Sequence, residues 1–192
     1  MFTKCLLVLG IVILVLFGIY SFYMGKIEKP TYTVESVLEE GIEIRVYDTM
    51  IVAKTELAGA SFDTYGSQGF RNVASYIFGN NQSQTKIAMT SPVVMEQGAQ
   101  SNMYFVMPKQ YTKDALPTPN SNRVEIVELK PKRLAVIRFG GWANDQRILK
   151  YQQRLKRVLD DAKLPFKVPF IFMAYNAPWD IFARRNEVAV EL

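Results

Sequence analysis

The chain has 192 residues, a formal net charge of +5, 49% hydrophobic and 12% aromatic residues, no histidine and one cysteine, Cys5. Without histidine there is no imidazole to serve as metal ligand, general base or partner of a Ser or Cys nucleophile, and a lone N-terminal cysteine leaves no intrachain disulfide or thiolate zinc cluster. The basic excess comes without runs of Lys and Arg interleaved with aromatics and without a finger, helix-turn-helix or RNA-recognition signature, so no nucleic-acid partner is expected.

Leu6 to Tyr23 is an uncharged run of eighteen residues. As a helix it spans about 27 Å, near the hydrocarbon thickness of a bilayer. Tyr20, Phe22, Tyr23 and Met24 stand where a cleavable signal peptide carries small residues, which favours an uncleaved anchor. Cys5 precedes the run, whereas a lipoprotein cysteine follows it. Lys4 on one side faces Lys26 and Lys29 on the other, so Lys/Arg asymmetry orients the segment only weakly, with the N-terminus inside and the domain on the extracytoplasmic side. The expected organisation is a transmembrane signal-anchor over 1–25, a linker over 26–31 and one domain over 32–192.

Beyond the linker the chain reads as short strands. Val34 to Glu39, then Ile42, Ile44 and Val46 alternating with Glu43, Arg45 and Tyr47, then Met50 to Leu57 predict an antiparallel meander with Gly41 as a turn. Ser61 is a suitable N-cap for a helix to Phe78, stopped by Gly79, Asn80 and Asn81. Gly66 and Gly69 each weaken that helix by about 1 kcal/mol against Ala, which calls for close packing on the sheet or for a ligand.

Val124 to Leu129 and Leu134 to Phe139 predict two more strands, Gly140 and Gly141 a turn, and Asn144 the cap of a second helix. Its apolar stripe of Ile148, Leu149, Tyr151, Leu155, Val158, Leu159 and Ala162 leaves Arg147, Lys150, Arg154 and Arg157 mostly on a solvated face before Pro165. Closing strands near Val93 to Met95 and Ile171 to Tyr175 fall at matching places in the two halves, and Lys109 to Asn122 joins the halves. A pseudo-repeated α+β fold follows, a curved or barrel-like sheet with both helices packed outside it.

KIAMTSPV (Lys86 to Val93), FVMPKQYTKDALPTP (Phe105 to Pro119), AVIRFGGW (Ala135 to Trp142) and RRNEV (Arg184 to Val188) together resemble the SOUL haem-binding family. The resemblance covers nearly the whole domain from about Tyr32, and the anchor is an addition outside it. It implies a distorted antiparallel β-barrel of two pseudo-symmetric halves flanked by two helices, related in shape to small-molecule effector-binding domains. It also implies tetrapyrrole binding in an apolar groove with basic residues nearby. The His proposed as iron ligand in some members has no counterpart here, so binding is expected to be non-covalent and independent of imidazole ligation.

A porphyrin needs a flat apolar slot and cations for its propionates. Phe62, Tyr65 and Phe70 on the first helix and Met89 and Met95 after it are candidates for the slot, the alternative for each being ordinary core. Arg71 and Lys86 are the candidates for the propionates, the alternative being surface charge. Thr90, Ser91 and Pro92, and Asn176, Pro178 and Trp179, suit turns, and Arg184 to Glu187 a charged loop that locks the C-terminal strand. The expected function is a non-enzymatic carrier, buffer or sensor of haem or porphyrin at a membrane surface. The alternatives are a protein-interaction or amphipathic-effector module with incidental haem affinity, and an enzyme using a carboxylate such as Glu39, Glu40 or Asp63, for which no paired geometry is visible.

Overall fold

The computed structural model describes residues 27–177, 180 and 183–192. The segment expected to anchor the chain, and Pro178 and Trp179, lie outside them. Among the described residues no helix is long and apolar enough to cross a membrane.

The elements are β1 (Tyr32–Val37), β2 (Glu43–Tyr47), β3 (Met50–Glu56), α1 (Phe62–Ile77), β4 (Val93–Gln97), β5 (Asn102–Val106), β6 (Glu125–Leu129), β7 (Lys132–Phe139), α2 (Asp145–Asp161), β8 (Lys167–Ala174) and β9 (Asn186–Glu191). The Ser61 side chain accepts a hydrogen bond from the Thr64 amide, and the Asn144 side chain accepts one from the Arg147 amide, so both helices start at the caps the sequence predicts. Gly41 and Gly141 adopt φ of +69° and +74°, a left-handed turn geometry that costs glycine little. β5 and β9 are strands that the sequence reading did not resolve, and Asn186 and Glu187, expected in a charged loop, begin β9.

Nine strands form one sheet in the order β1-β2-β7-β9-β8-β4-β5-β3-β6, every neighbouring pair antiparallel. Leaving β1 aside, the order is unchanged when β2, β3, α1, β4 and β5 are exchanged for β6, β7, α2, β8 and β9. The expected internal repeat is therefore a pseudo-twofold whose axis lies between β4 and β8. One expectation is corrected. The opening strands are not a meander, because β2 pairs with β7 and β3 with β5 and β6; each half lends its first strand to the other half. The sheet is curved and barrel-like as expected, a curled half-barrel with β1 and β6 at its edges.

Alternation sorts the side chains of each strand onto two faces. The outer face carries two cores. Ile42, Ile44, Ile137, Phe139 and Val188 pack with Leu155 and Leu159 of α2, and Ala53, Met95, Met103 and Phe105 pack with Val73, Tyr76 and Ile77 of α1. Phe62 at the start of α1 touches both, with its ring edge-on to Phe172 at 4.9 Å between centroids. The inner face gathers Tyr47, Val52, Val94, Tyr104, Val106, Leu134, Val136, Ile171, Met173 and Tyr175 into a third cluster, which the curl of the sheet makes possible.

The helix starts cap each other. The Asp145 carboxylate in the first turn of α2 accepts hydrogen bonds from the Ser61 hydroxyl and the Phe62 amide, and the Asp63 carboxylate in the first turn of α1 accepts one from the Asp145 amide. Free amides at each helix start carry partial positive charge, and each carboxylate takes one of them and complements that charge.

Candidate functional site

The sequence pointed to α1 and the segment after it. Phe70 is half-buried with its ring 5.3 Å from that of Phe105, and Met89 is half-buried against the same core. Met95 is sealed within that core at 1% exposure. Tyr65 leans over Gly59, where an added Cβ would come within 2.6 Å of its ring. Thus Phe62, Phe70, Met89 and Met95 come together, as parts of a filled core that shows only the edges of Phe62, Phe70 and Met89.

The helix glycines follow the same packing. A Cβ on Gly69 would meet Leu57 Cδ2 at 2.6 Å and Met103 Sδ at 3.1 Å, and one on Gly66 would meet the Phe62 ring at 3.0 Å. Close packing accounts for both.

On the solvent side of α1, Arg71 donates to the Gln68 side chain at 3.0 Å and lines an open cleft of about 520 Å³ with Gln68, Asn72, Ser75, Asn80, Ser121 and Arg123. The loop joining the halves builds the far wall. The Tyr76 hydroxyl donates to the Pro117 carbonyl at 2.9 Å, the Gln82 amide to the Thr118 carbonyl at 3.0 Å, and the Asn120 side chain to Asn80 at 3.3 Å. These bonds dock the loop on the C-terminal end of α1 and set Arg123 in the cleft with Arg71. Arg123 was missed in the sequence, since nothing local marks a loop arginine 52 residues from Arg71 as its neighbour. Lys86 is exposed on the segment following α1 and is not in this cleft.

Two guanidinium groups on one cleft suit a pair of carboxylates. Its walls are otherwise polar, and Phe70, one residue and about 100° of helix rotation from Arg71, packs against the core instead. Any contact to a tetrapyrrole ring here would be made without imidazole, which the chain lacks.

Other ionisable groups are engaged structurally. Glu40 is held by Arg154 and Arg157 of α2, and these lower its pKa chiefly through the Arg154 hydrogen bond. Asp63 serves as a cap. Glu187 is fully buried and accepts from Arg45 Nη1 at 2.9 Å, Arg45 Nη2 at 3.1 Å, Arg185 Nη2 at 2.7 Å and the Tyr175 hydroxyl at 2.8 Å. Among the described residues no group of three or more Cys, Asp or Glu could hold a metal ion.

A second cavity is lined from both faces of the sheet, by Met50 and Val106 of the inner cluster and by Ile51, Met107 and Tyr111 beside the α1 core. Glu28 to Thr31, Asp48 to Ile51, Thr90, Val106 to Lys109, Tyr111 and Glu128 surround its volume of about 230 Å³. A water-sized void of about 30 Å³ lies beside it, walled by Tyr47, Val94, Tyr104, Leu129, Leu134, Ile171 and Met173 with Lys130 and Lys132. Pro30, Met50 and Val106 line both.

The family model described as SOUL heme-binding protein matches residues 27–191. The chain is 26% identical over 154 residues to Heme-binding protein 1 of Xenopus laevis, covering 76% of this chain and 80% of that protein. It is 27% identical over 157 residues to Heme-binding protein 2 of Homo sapiens, covering 76% and 75%.

Proposed function

Because the chain belongs to the SOUL heme-binding protein family, matched over residues 27–191, we propose that it binds haem or a related tetrapyrrole non-covalently and acts without catalysis, as a carrier, buffer or sensor. The observation that carries this reading at the level of residues is the pairing of Arg71 and Arg123 in one open cleft beside α1. The two guanidiniums take the propionates, and the half-buried edges of Phe62, Phe70 and Met89, with Tyr65 beyond them, offer apolar contact to the ring. Lys86, exposed on the following segment, is a further candidate cation. Bound haem supplies a redox-active iron and an intense absorption band; the chain supplies contact and orientation.

The uncharged run Leu6 to Tyr23 supports a further part of the reading, that the protein is a single-pass membrane protein with its domain at the membrane surface on the extracytoplasmic side. Retention of the full chain in the alkaline-washed membrane pellet, and its release on deletion of residues 1–25, tests this.

The binding reading is tested by titrating the full chain in detergent with haem and with metal-free protoporphyrin while following the Soret band and Tyr/Trp fluorescence. One saturable site with similar affinity for both is expected. Unsaturable uptake that bovine serum albumin abolishes overturns it.

A further inference from the structure

Trp142, on the turn after β7, and Leu149, in the second turn of α2, are 53% and 52% exposed. Both stand among cations. The Arg184 guanidinium lies 4.0 Å from the Trp142 ring centroid. Arg147 donates to the Gly140 carbonyl at 2.7 Å, which brings it against the same turn, and it lines an open cleft of about 450 Å³ with Gln146, Leu149, Lys150 and Gln153. Arg147 thus joins the Trp142 turn and the first half of α2 into one patch.

The patch has unbalanced positive charge. In the second half of α2, Arg154 and Arg157 pair with Glu40 and Lys156 pairs with Asp160. Arg147 and Lys150 in the first half, and Arg184, have no carboxylate partner among the described residues. The carboxylates at the adjoining helix starts, Asp145 and Asp63, are engaged as caps. An exposed Trp and Leu beside free cations complement an anionic lipid surface, where indole sits at headgroup level and Lys and Arg meet the acidic headgroups.

The place where the described chain begins lies at the same end of the sheet. Val93, Ala174, Asn186 and Phe139 stand opposite one another across β4, β8, β9 and β7, a row of three strand spacings or about 14 Å. Alternate strands being antiparallel, the residues before Val93 and those after Phe139 leave this row on one side. Trp142 follows Phe139 by three residues; Thr90 precedes Val93 by three and bridges to Glu28, whose carbonyl accepts from the Ser91 amide at 2.9 Å. The uncharged run ends at Tyr23, five residues before Glu28, a reach of at most about 18 Å.

We propose that Trp142, Leu149, Arg147, Lys150 and Arg184 form a docking face for an anionic lipid bilayer, which fixes how the domain sits on the membrane. That the bilayer is the one holding the uncharged run rests on the membrane reading above; the chemistry of the face does not.

The test uses the full chain with Cys5→Ser and a nitroxide attached through Leu149→Cys or, at the opposite end of the sheet, Val168→Cys, which replaces a side chain that is 71% exposed. It is placed in nanodiscs of phosphatidylcholine with or without phosphatidylserine. Collisions with oxygen, which concentrates in lipid, against those with an aqueous nickel chelate report the docked fraction. With phosphatidylserine the label at position 149 should enter the headgroup region, while the label at 168 stays in water. Lys150→Glu should lower the docked-to-free ratio roughly fivefold, the scale of one basic residue near an anionic surface. Trp142→Ser should lower it also, with circular dichroism unchanged in both, and raised salt should lower it without any substitution. A label at 149 as water-accessible as that at 168, equal docking with and without phosphatidylserine, or docking that neither variant lowers overturns the proposal. If the chain elutes apart from the discs the membrane reading fails; the same labels on the chain mixed with vesicles of the same two compositions then decide the docking by the same outcomes.

Discussion

Arg45 on β2 and Glu187 on β9 form a bidentate ion pair at 2.9 and 3.1 Å with 3% and 0% of their side chains exposed, although 142 residues separate them in sequence. β7 lies between their strands, so the pair ties the first half of the chain to its last strand. The Arg45 guanidinium also lies 4.4 Å from the Tyr32 ring centroid and donates to the Tyr47 hydroxyl at 3.1 Å, while Arg185 approaches the same carboxylate from the other side.

Without Arg45, Glu187 keeps only Arg185 and the Tyr175 hydroxyl, and without Glu187, Arg45 keeps only Glu43 and the Tyr47 hydroxyl as polar partners. Such incomplete compensation of a buried charge costs up to about 3–5 kcal/mol, whereas replacing both by apolar residues of similar volume is often neutral. Arg45→Met and Glu187→Leu should each strongly destabilise the fold, and the double variant should be less destabilised than either single. Urea unfolding of the three variants measures this; additive losses would show that the pair does not act as a unit.

The acid limb of stability follows from Glu187. Burial is the largest single effect and pushes its pKa up, but the hydrogen bonds and charges of Arg45 and Arg185 together outweigh it and hold the carboxyl below its ordinary 4.5. The native state therefore favours the ionised form. Its stabilisation is present above pH 4.5 and disappears as pH falls through the lowered native value. Glu187→Gln should show a shallower loss of stability below pH 4.5 than the parent in urea midpoints measured against pH; equal slopes would assign the acid limb to other carboxyls.

The alkaline limb follows from buried phenols. Burial raises Tyr47 to about 12 against the opposing pull of Arg45, and raises Tyr104 and Tyr175 well above the ordinary 10. Native pKa values above the ordinary 10 mean that the stabilisation is complete below pH 10 and is lost as pH rises towards and beyond 12. Tyrosinate absorbance should include a phase well above pH 10, from these phenols and Tyr76, that appears only as the fold opens. One phase centred at 10 would contradict their burial.

Asp145→Ala removes the acceptor used by the Ser61 hydroxyl and the Phe62 amide. The expected cost is about 1–2 kcal/mol, the usual scale for a lost cap with its favourable charge at a helix start. Ser61→Ala should cost a similar amount. The two should be less than additive in thermal melts, because they share a hydrogen bond.

Arg71→Ala and Arg123→Ala should each weaken tetrapyrrole binding by roughly three- to tenfold, the modest scale of cations that water screens. Raised salt should weaken the parent more than the double variant. Affinities unchanged in both variants by Soret titration would remove the cleft beside α1 from the binding site.

Local physics made much of the fold legible from sequence. Ser61 and Asn144 mark helix starts because a side-chain oxygen can satisfy an amide within three residues, and alternation in β2 and the heptad-like stripe of α2 mark buried faces because burial repeats with the period of the backbone. The repeat was visible for the same reason, since each half encodes the same order of elements. Strand exchange between the halves was not, because β2 and β3, separated by two residues, carry the pattern of a hairpin whether or not they pair.

At the site the division is the same. The sequence by itself determined that no imidazole can grip a metal and that α1 carries apolar residues beside Arg71, because these depend on residue identity and helical spacing alone. Only the tertiary structure decided that Met95 is sealed in the core, that Arg123 joins Arg71, and that Glu187 is a buried partner of Arg45. Each of these depends on which strands become neighbours when the sheet curls, and that is fixed by the joint packing of distant segments.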